Sequence, residues 1–253
     1  MQVHREGAVF GGGTLLVFDT EEAAAQAVAA EIAALGASSR FVLGLATGQS
    51  PVDVYQALIR LRHAGALRAD HLTTFALDEY CGLAADDPRG FQTWLRAEVL
   101  TPLGVEPGQS HFPRCPSDAA DERLAGREYE SAIVEAGGID LQILGIGRNG
   151  HIAFNEPGSS IDSRTRVVEL EPSTREDAAA AFGGIDAVPT TAITMGIASI
   201  RDARRVRVLA FGAGKRALVE RTLRELPNDQ WPVSLLAGHP DVTLIADRAA
   251  CPD

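Results

Sequence analysis

The sequence predicts an α/β protein built on a mostly parallel sheet with helices on both faces. Short apolar runs alternate with longer amphipathic runs along the chain, which is typical of parallel strands joined by helices. Glycine-rich turns follow several apolar runs, at the strand ends where open α/β sheets bind their ligands. The chain has 253 residues, of which 45% are apolar. Residues 1–253 are therefore expected to form a single domain with a sizeable core.

The first half of the chain contains three predicted strands and four predicted helices. Thr20 is a candidate N-cap for the first helix, and Pro51 stands at the favoured first position of the second. The predicted strands are 15–18, 41–45 and 72–77. The predicted helices are 21–35, 51–63, 91–100 and 118–136.

The second half continues the alternation, with two less regular stretches. A central strand is predicted at 141–146, a further strand at 166–170, and a closing strand, helix and strand at 206–211, 215–226 and 242–246. Residues 191–200 fit either a helix or a strand. Residues 171–188 are polar and alanine-rich, with Gly183 and Gly184 in succession. This composition predicts a mobile lid within 158–188, although an ordinary surface excursion fits it equally well.

The net charge of −11 disfavours nucleic acid and anionic lipid as partners, because both are themselves anionic. A small anionic substrate must then be held by local cations and backbone amides. Of the 23 lysine and arginine residues, only Lys215 is a lysine, and a compact ammonium group there is either chance or a requirement. No apolar run is long enough for a membrane span, and the N-terminus lacks a secretory pattern. We therefore expect a cytoplasmic protein.

Three scattered cysteines, Cys81, Cys115 and Cys251, do not have the spacing of a metal site. They are expected to be unpaired thiols in a reducing compartment.

The run from Leu144 to Gly158 is the most informative segment, since an apolar stretch leads into three glycines, a histidine and a glutamate. Its Gly-x-Gly-x-x-Gly spacing matches the dinucleotide fingerprint, but Pro157 and Gly158 end any helix within two turns. A catalytic loop is the better interpretation. His151 and Glu156 predict a base with its orienting carboxylate, and Asn149 supplies a further hydrogen bond. The alternative is a structural histidine. No metal-binding spacing is present.

Three other segments combine polar residues with a strand end. The turn Gly48-Gln49-Ser50 precedes a helix and predicts an anion site, or else a tight turn with a serine cap. The adjacent acids Asp78 and Glu79 follow a strand, so one is a candidate general base, with helix capping as the alternative. Lys215 begins a helix, where a cation is unfavourable unless an anion binds.

These segments, in this order, resemble the glucosamine-6-phosphate deaminase family in its short bacterial form. The resemblance runs from about residue 14 to 250, and the stretch Gly-His-Ile-Ala-Phe-Asn-Glu-Pro-Gly at 150–158 is nearly diagnostic. The family implies a three-layer αβα Rossmann-like fold. It also implies conversion of glucosamine 6-phosphate and water to fructose 6-phosphate and ammonia, with no redox cofactor and no metal.

The resemblance implies two sets of site residues. The catalytic residues would be Asp78 as the base at C2, His151 for ring opening, and Glu156 and Asn149 as its hydrogen-bonded partners. The phosphate would be bound by Gly48, Gln49, Ser50, Arg175 and Lys215. The chain departs from the family where Asn149 replaces an aspartate found in some members. It departs again at 176–184, where many members have an Asn-Ala-Arg-Phe-Phe-like run.

Other functions remain as alternatives. A 6-phosphogluconolactonase has a similar fold, loop and phosphate site, and a deaminase of galactosamine 6-phosphate differs only in the sugar. A catalytically inactive sugar-phosphate sensor would keep the phosphate turn but need not keep Asp78, His151 and Glu156 together. The sequence leaves a monomer and a homo-oligomer equally open.

Overall fold

The computed structural model describes residues 3–37, 39–116 and 122–251. Its central sheet contains eight strands, in the order β1-β2-β11-β10-β7-β3-β4-β6. All pairs that the structure describes in this sheet are parallel except β1 with β2. The strands are β1 (Val3–Val9), β2 (Gly13–Phe18), β3 (Phe41–Leu45), β4 (Leu72–Ala76), β6 (Ser110–His111), β7 (Leu141–Gly145), β10 (Val206–Ala210) and β11 (Val242–Asp247).

A smaller antiparallel sheet has the order β5-β9-β8. Its strands are β5 (Asp78–Tyr80), β8 (Arg166–Glu169) and β9 (Thr191–Thr194). The helices are α1 (Glu21–Leu35), α2 (Val52–His63), α3 (Phe91–Leu95), α4 (Thr101–Leu103), α5 (Glu122–Glu135), α6 (Pro172–Phe182), α7 (Ile197–Arg201) and α8 (Arg216–Arg224).

The strand order gives a three-layer arrangement. The connections β2-α1-β3 and β3-α2-β4 run one way across the central sheet, whereas β6-α5-β7 and β10-α8-β11 run the other way. Because such crossovers are right-handed, α1 and α2 cover one face, and α5 and α8 cover the other. The predicted α/β Rossmann-like fold is confirmed, and Thr20 caps α1 as expected, since its side chain accepts a bond from the amide of Ala23.

Several predicted elements differ in detail. The hairpin strand β1 was not predicted, since its sequence lacks a continuous apolar run and edge strands tolerate charged residues. The ambiguous stretch 191–200 is β9 followed by α7. The predicted helix 91–100 is α3 and a π-helical turn, Arg96–Leu100, that leads into α4. The predicted start of α5 at Asp118 lies outside the described residues.

The prediction of three unpaired thiols is wrong for two of them, because Cys81 and Cys115 form a disulfide. Cys81 follows β5, which continues from β4, and Cys115 follows β6, which pairs with β4, so the two cysteines lie near the same end of the sheet. The two cysteines are 34 residues apart, so no local sequence signal joins them. The cysteines therefore no longer support the expectation of a reducing compartment, because that expectation assumed free thiols. Cys251 is free.

A second hydrophobic cluster lies beside the main core, around the small sheet. The Tyr80 ring contacts three phenylalanine rings, with centroids 4.7 Å from Phe91, 5.4 Å from Phe154 and 5.1 Å from Phe182. This cluster joins β5, the segment after β7 and the end of α6. No helix within the described residues is long and apolar enough to cross a membrane.

Candidate active site

The candidate site is a cleft of about 700 Å³ at the carboxyl ends of the central strands. It lies where the strand order reverses, between β3 and β7, which is where open α/β sheets bind ligands. The turns after β3, β4, β7 and β10 each contribute residues to it, and α6 forms an outer wall. It holds eight of the nine predicted site positions in or directly behind its walls.

Asp78 is the first residue of β5 and lines the cleft, although its side chain is only 4% exposed. Burial and the nearby Glu79 carboxylate raise the pKa of Asp78 to about 8, and a bond from the Thr47 hydroxyl, 3.4 Å from Asp78 Oδ1, opposes them. A carboxylate with such a pKa is suited to accept a proton near neutral pH.

Glu79, the neighbouring acid, has a structural role. Its carboxylate accepts bonds from the backbone amides of Phe91 at 3.0 Å and Gln92 at 2.7 Å, at the start of α3. These bonds satisfy amides that have no partner within the helix. The sequence left a general base and a helix cap as alternatives for these two acids. Asp78 lines the cleft and remains the candidate base, whereas Glu79 caps a helix.

His151, Asn149 and Glu156 form one hydrogen-bonded group after β7. The Asn149 amide nitrogen donates to Glu156 Oε2 at 2.8 Å, so its oxygen is left to accept. That oxygen lies 2.8 Å from His151 Nδ1, which must then carry the hydrogen. Nε2 of the neutral imidazole is consequently the free base.

Glu156 completes the group from behind the imidazole. It lies 3.4 Å from His151 Nδ1, and the Thr174 hydroxyl donates to its other oxygen at 2.5 Å. Burial raises the pKa of Glu156, but these bonds and the one from Asn149 outweigh burial and lower the pKa overall. Glu156 therefore stays ionised and stabilises a positive charge on the imidazole.

The glycines of this loop are required by close packing. A Cβ on Gly147 would lie 2.1 Å from the His151 ring, and one on Gly150, where φ is +83°, would lie 2.4 Å from Trp231. Ala153 also lines the cleft with a positive φ of 51°. Phe154 donates its amide to the Thr194 hydroxyl of β9, and Asn155 donates to the carbonyl of Met195 just after β9, so bonds on its C-terminal side hold this unfavourable backbone in place.

The other end of the cleft is suited to an anion. Gly48, Gln49 and Ser50 line it just before α2, which begins without a side-chain cap, so the alternative of Ser50 as the cap is not observed. Lys215 approaches from the turn after β10, and its ammonium group donates to the Ile146 carbonyl at 2.7 Å. Burial lowers the pKa of Lys215, an energetic cost that a bound anion would offset.

Arg175 is the predicted site residue that the structure does not bring into the cleft. It lies on α6, and its guanidinium group donates to the carbonyls of Ile185 at 2.9 Å and Val188 at 3.1 Å. Its Nε is buried and has no hydrogen-bond partner within the described part of the chain. In this conformation Arg175 joins α6 to the segment that follows it and does not line the cleft.

Sequence reasoning missed Thr47, Thr174, Arg148 and Asp177, all of which line the cleft. Thr47 and Thr174 are adjacent to predicted residues, but a single hydroxyl gives no pattern that distinguishes it from other threonines. Among the described residues, no group of three or more His, Cys, Asp or Glu side chains is arranged to hold a metal ion.

A second cavity, of about 950 Å³, lies on the far side of β5 and is lined in part by Glu79, His111 and Cys115. It contains no other predicted site residue, so volume alone does not identify the site.

Comparison with known proteins identifies the family of the chain. Residues 19–245 match the family model described as glucosamine-6-phosphate isomerases/6-phosphogluconolactonase. A glucosamine-6-phosphate deaminase of Rhodopirellula baltica is 42% identical over 235 residues, which is 93% of this chain and 93% of that protein. One from Bifidobacterium longum is 45% identical over 216 residues, covering 83% and 80% of the two chains.

Solved structures give the same result. A monomeric glucosamine-6-phosphate deaminase superposes with a TM-score of 0.87 at 38% identity, over 93% of this chain and 98% of that one. A 6-phosphogluconolactonase from Trypanosoma brucei has a TM-score of 0.73 at 21% identity, over 94% and 97%, which is a likeness of fold alone. The chain therefore belongs to the family of glucosamine-6-phosphate isomerases and 6-phosphogluconolactonases.

Proposed function

We propose that the protein converts glucosamine 6-phosphate and water to fructose 6-phosphate and ammonia. The observation that supports this most directly is one cleft lined by the Asp78 carboxylate, the His151 imidazole and the Lys215 ammonium group. An aldose–ketose isomerisation needs a base for the carbon-bound proton, a group that moves protons on the ring oxygen, and an anchor for the phosphate.

Phosphate binding comes first in the proposed mechanism. Lys215 and the amides of Gly48, Gln49 and Ser50 hold the phosphate dianion at the start of α2. Fixing this end of the sugar positions C2 and lowers the entropic barrier of the reaction. Arg175 also binds the phosphate in this proposal. To do so, its guanidinium group must turn away from the carbonyls of Ile185 and Val188.

Ring opening and proton transfer follow. His151 Nε2 takes the proton of the C1 hydroxyl and returns one to the ring oxygen, while Asn149 and Glu156 stabilise the imidazolium. Asp78 then removes the C2 proton from the open-chain aldehyde in its 2-ammonium form, and a proton passes from the ammonium group to O1, giving an enolamine. Asp78 delivers the proton that it took to C1. The resulting protonated imine at C2 takes up water and releases ammonia. No redox cofactor or metal enters these steps.

The test is incubation with glucosamine 6-phosphate, followed by measurement of ammonia and fructose 6-phosphate in equal amounts. The rival hydrolase function is tested with 6-phosphogluconolactone, whose opening needs no base at C2. Galactosamine 6-phosphate, which differs at C4, tests the choice of sugar. Turnover of the lactone without release of ammonia from either amino sugar would reject the deaminase.

The proposal includes three further expectations from the sequence, on domain organisation, the lid and location, and one from a relative, on oligomeric state. Residues 1–253 act as a single catalytic domain, and residues 158–188, with α6, act as a lid. The protein is cytoplasmic and, like the relative described as monomeric, is a monomer. Light scattering tests the oligomeric state, and protease sensitivity of 158–188 with and without sugar phosphate tests the lid.

A further inference from the structure

An acidic side chain lies between two cations at the anion-binding end of the cleft. The Asp177 carboxylate on α6 is 3.2 Å from Arg148 Nε. It also raises the pKa of Lys215, against the larger lowering by burial, so its charge acts on that ammonium group as well. All three side chains line the same cleft. Asp177 thus occupies the kind of position that an anionic ligand takes, flanked by two positive groups.

This arrangement opposes phosphate binding as long as it persists. A carboxylate within several ångströms of a phosphate dianion repels it, and the repulsion is only partly screened at a half-exposed position. The Asp177 side chain is 53% exposed and can turn into solvent. That movement would free the Nε side of the Arg148 guanidinium group. It is otherwise held by Glu176, at 3.0 Å, and by the carbonyl of Ser173.

We propose that Asp177 is an internal counter-ion that the substrate phosphate displaces, and that Arg148 then joins Lys215 in binding the phosphate. The inference rests on the proposed phosphate role of this cleft. Because Arg148 belongs to the His151 loop and Asp177 to α6, phosphate binding exchanges a contact between loop and helix for one between loop and ligand. Asp177 therefore sets how strongly the cleft prefers a phosphorylated sugar.

The test measures binding of inorganic phosphate and of fructose 6-phosphate by calorimetry at pH 7.5, for the wild type, Asp177→Asn and Glu176→Gln. Glu176→Gln is the matched control, since it removes an acid from the same Arg148 but not from the cleft wall. We expect Asp177→Asn to bind both ligands about 10-fold more tightly at low salt, with the gain shrinking in 1 M salt. The KM for glucosamine 6-phosphate should fall correspondingly, with a smaller change in kcat.

Two binding results, as well as the absence of any phosphate binding, would each overturn the proposal. One is equal affinity of Asp177→Asn and the wild type. The other is an equal gain in Glu176→Gln, because release of Arg148 alone would then explain it. Failure of the deaminase proposal is a separate outcome, seen as phosphate binding by the wild type without release of ammonia. If neither the wild type nor Asp177→Asn binds phosphate, the cleft is not an anion site and the proposal also fails.

Discussion

Replacement of Asp78 by asparagine is expected to stabilise the folded protein while removing its activity. The raised pKa of about 8 means that the folded state holds a proton on Asp78 over a range where the unfolded chain, with a pKa near 3.8, has lost it. Stability of the wild type therefore falls as pH rises from about 4 to about 8. The slope is at most about 1.4 kcal/mol per pH unit, and the total is a few kcal/mol.

Asparagine cannot ionise, so the variant should lack this loss. The difference in free energy of unfolding, variant minus wild type, should grow steadily between pH 5 and pH 8 in urea denaturation experiments. Ammonia release should fall by at least about 10²-fold, the lower range for loss of a general base. Asp86→Asn, at an exposed position in the loop before α3, is the matched control for the change in charge.

A constant difference in stability across this pH range would show that Asp78 is not a buried group with a raised pKa. Near-normal turnover by the variant would reject its assignment as the base. The two measurements are independent, because the first needs no substrate and the second needs no unfolding.

Three further predictions rest on single contacts. Thr47→Val removes the hydrogen bond that lowers the pKa of Asp78, so the acid limb of the pH profile of kcat/KM should move to higher pH; an unmoved limb would exclude this contact from the mechanism. Lys215→Ala should raise KM by about 10- to 100-fold, the value of a charged hydrogen bond, with a smaller effect on kcat; an unchanged KM would remove Lys215 from the site. Reduction of the Cys81–Cys115 disulfide, which closes a loop of 34 residues, should lower the free energy of unfolding by about 3–4 kcal/mol. Urea titration with and without reductant, with alkylation and mass spectrometry to score the thiols, checks this, and identical curves would contradict it.

Most of the central sheet and the longer helices were predictable, because the strands are local apolar runs and helix starts are marked by capping residues. Thr20 illustrates this, since one side chain and the next three residues decide the start of α1. The small antiparallel sheet was only partly predictable. β8 agrees with the strand expected at 166–170, but β5 and β9 are short and become strands only by pairing with their neighbours. The stretch 191–200 was ambiguous for the same reason.

The candidate site was predictable where residues are close in sequence. Asn149, His151 and Glu156 lie on one loop, so their spacing already brings them together. Contacts across the fold gave no such signal. The bond of Thr174 to Glu156 and the ion pair of Arg148 with Asp177 depend on how α6 lies against the loop, and one arginine among many cannot be singled out by composition.

The ring contact between Tyr80 and Phe154 has a consequence for engineering the enzyme. Tyr80 stands two residues after Asp78, and Phe154 three after His151, so the two rings form an aromatic spacer between segments that come from distant parts of the chain. A smaller side chain at either position is expected to change the distance between the Asp78 carboxylate and the His151 imidazole without altering either group. Substrates of a different carbon skeleton are therefore best sought by altering this aromatic spacer first.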